Sequence, residues 1–366
     1  MLQILIKDEA ECKESEKEKD PKKRLKNECI EFVLENKPLD ILVDLAISEK
    51  PVGCRQWIFK WIKRYLTCIE NPEIQHGSVF KPIQKLLSVC NGNSASPYEI
   101  DEILFLEAVA GLIGKDPELI KIFIPSHQHL DSSTKGVFNT KTPKDNKLFD
   151  EHCTRIEPNI RRVSLMLDED IVDETETVKE VETTPKVDDK FCNCDEGDRF
   201  LLLDVIMSYL ESADSTIVVR ACEGALILTS LKDLNENCVA LNSSITQFAH
   251  LIAEKVFTLA EQIPEDMDLG DIEEAVVAWG LFPKDNEQHH FIGRYQLTSF
   301  LCWLDYADCL MRDNFLIGDI FGFLFREQVL EKIVEPNLLE VNAQFGLVLT
   351  AKIIKQVRSE ALMDGE

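Results

Sequence analysis

The sequence predicts an all-α chain, an α-solenoid of stacked helices of the armadillo or HEAT kind with one long acidic insert. Amphipathic helical patterns follow one another along most of the 366 residues, and no segment reads convincingly as a strand. The apolar content of 45% is sufficient for a large core. We find no repeat of the tetratricopeptide or ankyrin type, so a compact irregular helical bundle stays open as the alternative.

Composition divides the chain into five segments. We expect a charged, partly disordered segment at 1–24, a helical block at 25–124, an acidic flexible linker at 125–197, a second helical block at 198–358 and a tail at 359–366. Residues 8–28 alternate Glu and Lys without an apolar stripe. Residues 165–198 contain 13 Asp or Glu against 3 Lys, and the long stretch around them has no sustained period, which predicts disorder.

The helices of the first block are separated by proline and turn residues. Pro38 divides Ile30–Glu35 from Leu39–Ile47, because proline interrupts the backbone hydrogen-bond ladder. Pro51 opens the next helix and Asn71-Pro72 ends it. Its stripe has the strongest 3.6-residue period in the chain and consists of Ile58, Trp61, Ile62, Tyr65, Leu66 and Ile69. A shorter helix follows and carries Val79, Ile83, Leu86, Leu87 and Cys90.

Capping patterns mark two more helix starts. Ser96-Pro97-Tyr98-Glu99 has the form of a capping box, with Ser96 as the cap and Glu99 reaching back to it. The helix that it opens, Tyr98–Ile113, is apolar on nearly every side, which predicts neighbours on all sides. Asp116-Pro117-Glu118 caps a short helix that ends near Ile124.

The second block begins near Asp198 with a helix at Phe200–Leu210. Asp214 and Ser215 cap Ile217–Leu231, which we interpret as a buried helix, with a strand as the alternative. The further helices that we predict are Ile245–Ile263, Ile272–Trp279, Tyr295–Met311, Ile317–Val334 and Leu338–Val357. Tyr295–Met311 carries two apolar stripes, which is typical of an interior helix.

Charge and cysteine usage exclude several classes of protein. The net charge of −26 makes nucleic acid an unfavourable partner. Charged residues follow Met1–Ile6 at once, so no signal peptide is predicted, and the cysteines are expected to be reduced in the cytosol. No apolar run reaches the ~18 residues that a membrane span needs.

The most metal-like residues are Cys192 and Cys194, with His152 and Cys153 nearby in sequence. Zinc sites usually need four ligands, and their paired cysteines are usually separated by two or more residues. We therefore interpret these residues as thiols and a histidine of a linker, and we expect no metal or cofactor. A metal-dependent enzyme that uses these four residues is the alternative from another functional class, and zinc analysis would test it. The other histidine clusters, interpreted as loop residues, are His127–His129 and His289–His290.

Two sets of charged residues stand among apolar ones. Arg55, Lys60, Lys63 and Arg64 share a helix with aromatic residues, most of which fall on or beside the buried stripe. We interpret the basic residues as a solvated rim, with RNA, a phosphoinositide head group or an acidic partner as the alternatives. Among these, an acidic protein surface is a better partner than RNA. In the second set, Arg220 and Glu223 are expected to pair with each other or with a neighbouring helix. Gly224 is expected to allow close helix packing, and Gly114 a helix C-cap.

Six segments, in order, resemble the FTS- and Hook-interacting protein (FHIP) family, also described as retinoic-acid-induced-like proteins. The segments are Cys29–Leu45, Lys81–Cys90, Lys115–Phe123, Val218–Leu231, Asp271–Leu281 and Thr298–Leu310. Together they lie on both sides of the acidic insert. Family members extend beyond both ends of this chain, so the resemblance predicts a shortened member.

The resemblance implies an α-helical scaffold without enzymatic activity. Family members act in a complex with FTS and Hook proteins that connects dynein to membrane cargo, and they recognise Rab-type GTPases on vesicles. A cytoplasmic protein, peripheral on endosomes or other vesicles, is therefore expected. A general armadillo-like scaffold with unrelated partners is the alternative within the same class. No family motif assigns binding residues to this sequence.

Overall fold

The computed structural model describes residues 2–16, 28–69, 72–90, 92, 96–124, 200–231, 239–277, 291–339 and 343–363. In these ranges the regular secondary structure is helical throughout, so the predicted all-α class is confirmed. The α-helices are α1 (Leu2–Glu16), α2 (Glu28–Asn36), α3 (Pro38–Ser48), α4 (Cys54–Cys68), α5 (Gly77–Leu87), α6 (Glu99–Lys115), α7 (Ile120–Phe123), α8 (Leu201–Ser208), α9 (Ser215–Thr229), α10 (Val239–Glu261), α11 (Leu269–Glu274), α12 (Arg294–Asp313), α13 (Phe315–Phe325), α14 (Glu335–Leu339), α15 (Ala343–Gln356) and α16 (Glu360–Met363). Short 3₁₀ turns at Pro117–Leu119 and Tyr209–Glu211 and a π-helix at Arg326–Val334 complete the series.

The helices pack in succession, as in a helical solenoid. Helix α4 lies between α3 and α6, α6 packs on α9, and α9 contacts α12, which packs on α10 and α13. Residues Met1–Ser126 and Cys194–Glu366 form one compact unit. Its core is continuous and is built around large buried side chains: Phe59, Tyr65, Phe105, Phe200, Tyr209, Phe248, Phe300 and Phe321.

The N-terminal segment differs from the sequence prediction. The chain is helical from Leu2 to Glu16, so residues 8–16 are not a disordered part of the segment 1–24. Leu2 and Leu5 are buried because α1 packs on α2 and α4. The side chain of Asp8 accepts a hydrogen bond from the Cys29 amide at 3.0 Å, which helps to hold the start of α2.

The predicted division at Pro38 and the predicted stripe of α4 are both confirmed. Lys37 adopts a left-handed conformation with φ of 50° between α2 and α3, so Pro38 begins the new helix without interrupting one. All six residues of the α4 stripe are buried. Helix α4 itself begins at Cys54 instead of Pro51, because Gly53 with φ of 84° turns the chain just before it.

Only half of the capping box predicted before α6 is formed. The Ser96 hydroxyl accepts a hydrogen bond from the Tyr98 amide at 3.3 Å, but α6 begins only at Glu99. Glu99 is therefore too close to the helix start to reach back, and its Oε1 has no hydrogen-bond partner. At the other end, Asp116 caps the following turn as predicted, by accepting from the Glu118 amide at 3.2 Å.

The close contact of α6 and α9 joins the chain on either side of residues 125–199. A Cβ at Gly224 would lie 4.0 Å from the Cα of Glu107 in α6, which confirms the predicted close approach. Gly114 is not a C-cap, because α6 continues to Lys115, and a Cβ there would stand 2.7 Å from the Ile227 side chain. The strand alternative for Ile217–Leu231 is wrong, and Asp214 caps α9 through the Thr216 amide at 2.8 Å.

Helix α12 is an interior helix, as its two stripes predict. The second stripe is formed by Trp303, Tyr306 and Leu310, and Tyr306 donates a hydrogen bond to the Cys222 carbonyl of α9 at 2.8 Å. The first stripe is entirely buried and consists of Leu297, Phe300, Leu301, Leu304, Ala307 and Met311. At the end of α12, Asn314 caps α13 through the Ile317 amide and donates to the Thr229 carbonyl at 2.9 Å. One buried amide side chain thus fixes the corner between three helices.

Two helix predictions in the last third of the chain need correction. The expected helix Ile272–Trp279 is helical only to Glu274 within the described residues. The expected α-helix Ile317–Val334 becomes a π-helix at Arg326, and the Glu335 amide donates to the Leu330 carbonyl, five residues earlier. Pro336 lies one residue further along; its ring would clash with the carbonyl four residues back in an α-helix, which accounts for the wider turns.

The last residues are packed on the helices before them. The buried carboxylate of Asp308 in α12 accepts hydrogen bonds from the Arg358 and Ser359 amides, both at 2.8 Å. A Cβ at Gly322 in α13 would lie 3.1 Å from the Ala361 carbonyl oxygen, so this glycine makes room for α16. Of the predicted tail 359–366, residues 359–363 thus belong to the fold.

Candidate functional site

The described residues contain no group of three or more His, Cys, Asp or Glu side chains that could hold a metal ion. The candidates named from the sequence cannot be placed, because they lie outside the described ranges. They are Cys192, Cys194, His152, Cys153, His127, His129, His289 and His290. The charged and apolar surfaces of the described helices are therefore the remaining candidate sites.

Arg220 and Glu223 are packing residues, as predicted. The Arg220 guanidinium lies 3.1 Å from a carboxylate oxygen of Glu107 in α6 and 3.0 Å from Glu223 one turn along α9. Both carboxylates raise the pKa of Arg220. The cluster ties α6 to α9 at the rim of their interface and leaves no charge without a partner.

A second polar link between the two blocks is buried. The Tyr209 hydroxyl donates to Glu102 Oε2 at 2.7 Å, and the Glu102 side chain is only 2% exposed. Burial raises the pKa of the Glu102 carboxyl above its ordinary value. The Tyr209 hydrogen bond and the charge of Arg55 lower this pKa, but the effect of burial is larger. The pair lies in the core and connects the start of α6 to the end of α8, so its role is structural.

Arg55 of the predicted basic rim is a packing residue. Its Nε donates to the Ala46 carbonyl at 3.0 Å, at the end of α3, and its guanidinium lies 5.3 Å from the centre of the Tyr98 ring. Glu49 pairs with it at 3.4 Å. Arg55 therefore holds the junction of α3 and α4 and is not available to a partner.

The exposed side of α4, the end of α3 and the turn between them form a surface that we call the α4 corner, which consists of Ile47, Val52, Trp57, Lys60 and Arg64. Trp57, Lys60 and Arg64 are spaced at i, i+3 and i+7 and so share the outer face of the helix. Lys60 makes only a long ion pair with Asp101, at 3.6 Å. Sequence reasoning found the basic residues but missed Trp57, which is 58% exposed while the other aromatic residues of α4 are buried. Neither Trp57 nor Phe59 falls on the apolar stripe, yet Phe59 is fully buried, so the sequence pattern alone does not separate the two.

The outer side of α13 and the start of the π-helix that follows it form a second surface, the α13 face, which consists of Phe315, Asp319, Phe323 and Glu327. The first three are spaced by four residues and so lie in one row along the helix. Phe315 is 82% exposed and Phe323 is 67% exposed, although the opposite side of α13 is buried against α10 and α12. Asp319 in this row and the exposed Glu327 beyond it are both acidic. Sequence reasoning recognised the helix but not its exposed aromatic side chains.

No described helix is both long enough and apolar enough to cross a membrane. Comparison with known protein families gives one finding. The family described as retinoic acid induced 16-like protein matches residues 29–365, which is most of the chain and includes the helices of both surfaces.

Proposed function

Because the chain belongs to the retinoic acid induced 16-like family, we propose that it is a non-enzymatic scaffold of the FTS–Hook–FHIP type. In this proposal it connects a Hook-type dynein adaptor and an FTS-type protein to vesicle cargo. A Rab-type GTPase on the vesicle is a further partner. The protein then acts in the cytoplasm and associates peripherally with endosomes or other vesicles.

The observation that carries the proposal is the α13 face. A scaffold must present surfaces to other proteins, and exposed aromatic side chains on a rigid helix are typical anchors of protein interfaces. Phe315 and Phe323 stand two turns apart, which is the spacing that a partner helix can contact.

The charge of the α13 face selects the kind of partner. Asp319 lies between the two phenylalanines, and Glu327 follows them on the same side. Basic residues that flank an apolar stripe on the partner would therefore be attracted to this surface. We propose that the α13 face binds an amphipathic helix with basic flanks in the adaptor or the FTS-type protein.

Affinity capture tests the proposal. The full chain is expected to recover a purified Hook-type protein, an FTS-type protein, or both. Phe315→Ala/Phe323→Ala is expected to weaken this binding about 30-fold, because truncating anchor residues typically costs that much.

A matched double variant serves as the control. Phe32→Ala/Tyr295→Ala removes two aromatic side chains that are 55% and 71% exposed on other helices, and it should bind as the wild-type chain does. If the wild-type chain recovers neither protein, the transport function is wrong. If both double variants bind equally well, the function can stand but the α13 face is not its binding surface.

A further inference from the structure

The α4 corner has a charge opposite to that of the chain as a whole. Residues 50–64 contain five Lys or Arg and no Asp or Glu, in a chain with a net charge of −26. Arg55 is engaged inside the fold, but Lys60 and Arg64 point outward from α4. Among the described residues Arg64 makes no ion pair, and Lys60 keeps 57% of its side chain exposed. The positive charge of the corner is therefore available to a partner.

Apolar side chains project beside this charge. Val52, in the turn before α4, is 91% exposed, Trp57 is 58% exposed and Ile47 is 43% exposed. The hydrogen bonds from Arg55 to the Ala46 and Ile47 carbonyls hold the end of α3 against the start of α4, which places these three residues around one corner of the fold.

The shape of the corner favours a flat partner over a helix in a groove. A Cβ built at Gly53 would have no atom within 4 Å, and Val52 next to it is almost completely exposed. A projecting turn has no walls to enclose a peptide. It can, however, enter the boundary between lipid head groups and acyl chains, where tryptophan and short apolar segments are stable.

We propose that the α4 corner is a peripheral contact site for membranes that contain anionic phospholipids. Val52 and Trp57 enter the interface, and Lys60 and Arg64, one and two turns further along the same face of α4, pair with acidic head groups. Each basic residue near an anionic surface contributes about a fivefold gain in binding. The acidic charge elsewhere in the molecule opposes binding only weakly, because salt screens charges beyond about 8 Å at physiological ionic strength.

This proposal goes beyond scaffolding, because it gives the chain its own contact with lipid. If the chain binds lipid itself, the Rab-type GTPase of the proposed function is needed only to select which membrane is bound. The two proposals use different surfaces, so each can fail without the other.

Vesicle co-sedimentation of the purified full chain, with no protein partner present, tests the site. Binding to phosphatidylcholine vesicles that contain phosphatidylserine is expected, with little binding to pure phosphatidylcholine. Lys60→Gln/Arg64→Gln should lower the partition coefficient about 25-fold, from two losses of about fivefold each. Val52→Ser/Trp57→Ala should lower it several-fold, and salt of about 1 M should abolish most of the binding.

Two controls match these variants. Lys81→Gln/Lys355→Gln removes two exposed basic residues on α5 and α15, and Phe323→Ala removes an exposed aromatic residue on an acidic surface; neither should change vesicle binding. All substituted side chains are exposed, and unchanged helical circular dichroism would show that the variants fold.

Three results would overturn the proposal. One is equal binding to both kinds of vesicle, which would make the contact purely apolar. Another is an absence of vesicle binding even at low salt. The third is a Lys60→Gln/Arg64→Gln variant that binds vesicles as the wild-type chain does, because the basic residues of the corner would then not contact lipid.

Discussion

Helices α6 and α13 are both apolar on nearly every side, but they differ in what covers them. Helix α6 packs on α4, α8 and α9, and Phe105 and Leu106 are fully buried. Helix α13 packs on α10, α12 and α16, yet Phe315 and Phe323 remain exposed on its outer face. An all-round apolar pattern therefore predicts neighbours, but it does not say whether they belong to the same chain.

The largest expected effect tests this difference directly. Phe105→Ala should destabilise the protein by about 4 kcal/mol, because it opens a cavity beside Phe59, whose ring centre lies 5.5 Å away. Phe323→Ala should cost less than about 0.5 kcal/mol, because the removed ring is mostly in water. Denaturant unfolding followed by circular dichroism measures both values.

The stability loss of Phe323→Ala is the decisive value in that pair. A loss near that of Phe105→Ala would mean that the Phe323 side chain is covered within the folded chain. The α13 face would then be no surface for a partner. Phe32→Ala, at another exposed aromatic position, supplies the reference value for a harmless substitution.

A smaller effect concerns the buried acid at the start of α6. In the folded chain the pKa of Glu102 lies above its ordinary value of 4.5, so the folded chain binds this proton more tightly than the unfolded chain. The stability that this carboxyl contributes is present at acid pH and is lost as the pH rises from about 4.5 through the raised pKa.

We therefore expect Glu102→Gln to gain stability relative to the wild-type chain as the pH rises to neutral. The amide oxygen of glutamine can still accept from Tyr209, so packing should be retained. Unfolding free energies of both proteins over a pH series measure the difference. A difference that is independent of pH would show that Glu102 is not perturbed by burial. Glu118→Gln, at an exposed position, is the matched control.

The smallest effect belongs to the rim of the interface between α6 and α9. Arg220→Gln removes ion pairs with Glu107 and Glu223, but the Arg220 side chain is 41% exposed, so water screens the charges. The expected loss is below about 1 kcal/mol, and it should shrink further at high salt. Thermal unfolding at two salt concentrations checks this. A loss of several kcal/mol would mean that the ion pairs of Arg220, and not the apolar packing of α6 on α9, supply most of the stability of this interface.

Features that lie within a single helix are the ones that the sequence predicts correctly. The stripe of α4 and the two stripes of α12 have clear 3.6-residue periods, and Asp116 and Asp214 cap helices through local hydrogen bonds. These features depend on neighbours in sequence, so a single chain is sufficient to recognise them.

The predictions that failed depend on contacts between distant residues. Leu2 and Leu5 are too few to form a recognisable stripe, and only contact with α2 and α4 explains why α1 is ordered. The π-helix follows from Pro336, whose effect extends back over several residues.

The candidate surfaces were predictable only in part, for the same reason. The basic residues of α4 are evident in the sequence. That Arg55 turns inward while Trp57 faces solvent is decided by the carbonyl groups at the end of α3 and by the packing of α4 on α6.

The direct contact between α6 and α9 has a consequence for how the chain folds. Glu107 and Arg220 meet there although 113 residues separate them in the sequence. The unfolded chain must therefore lose the entropy of bringing distant residues together before this contact stabilises it, and contacts between distant residues slow folding. We expect the unit to fold more slowly than a helical bundle of the same length whose contacts are all local.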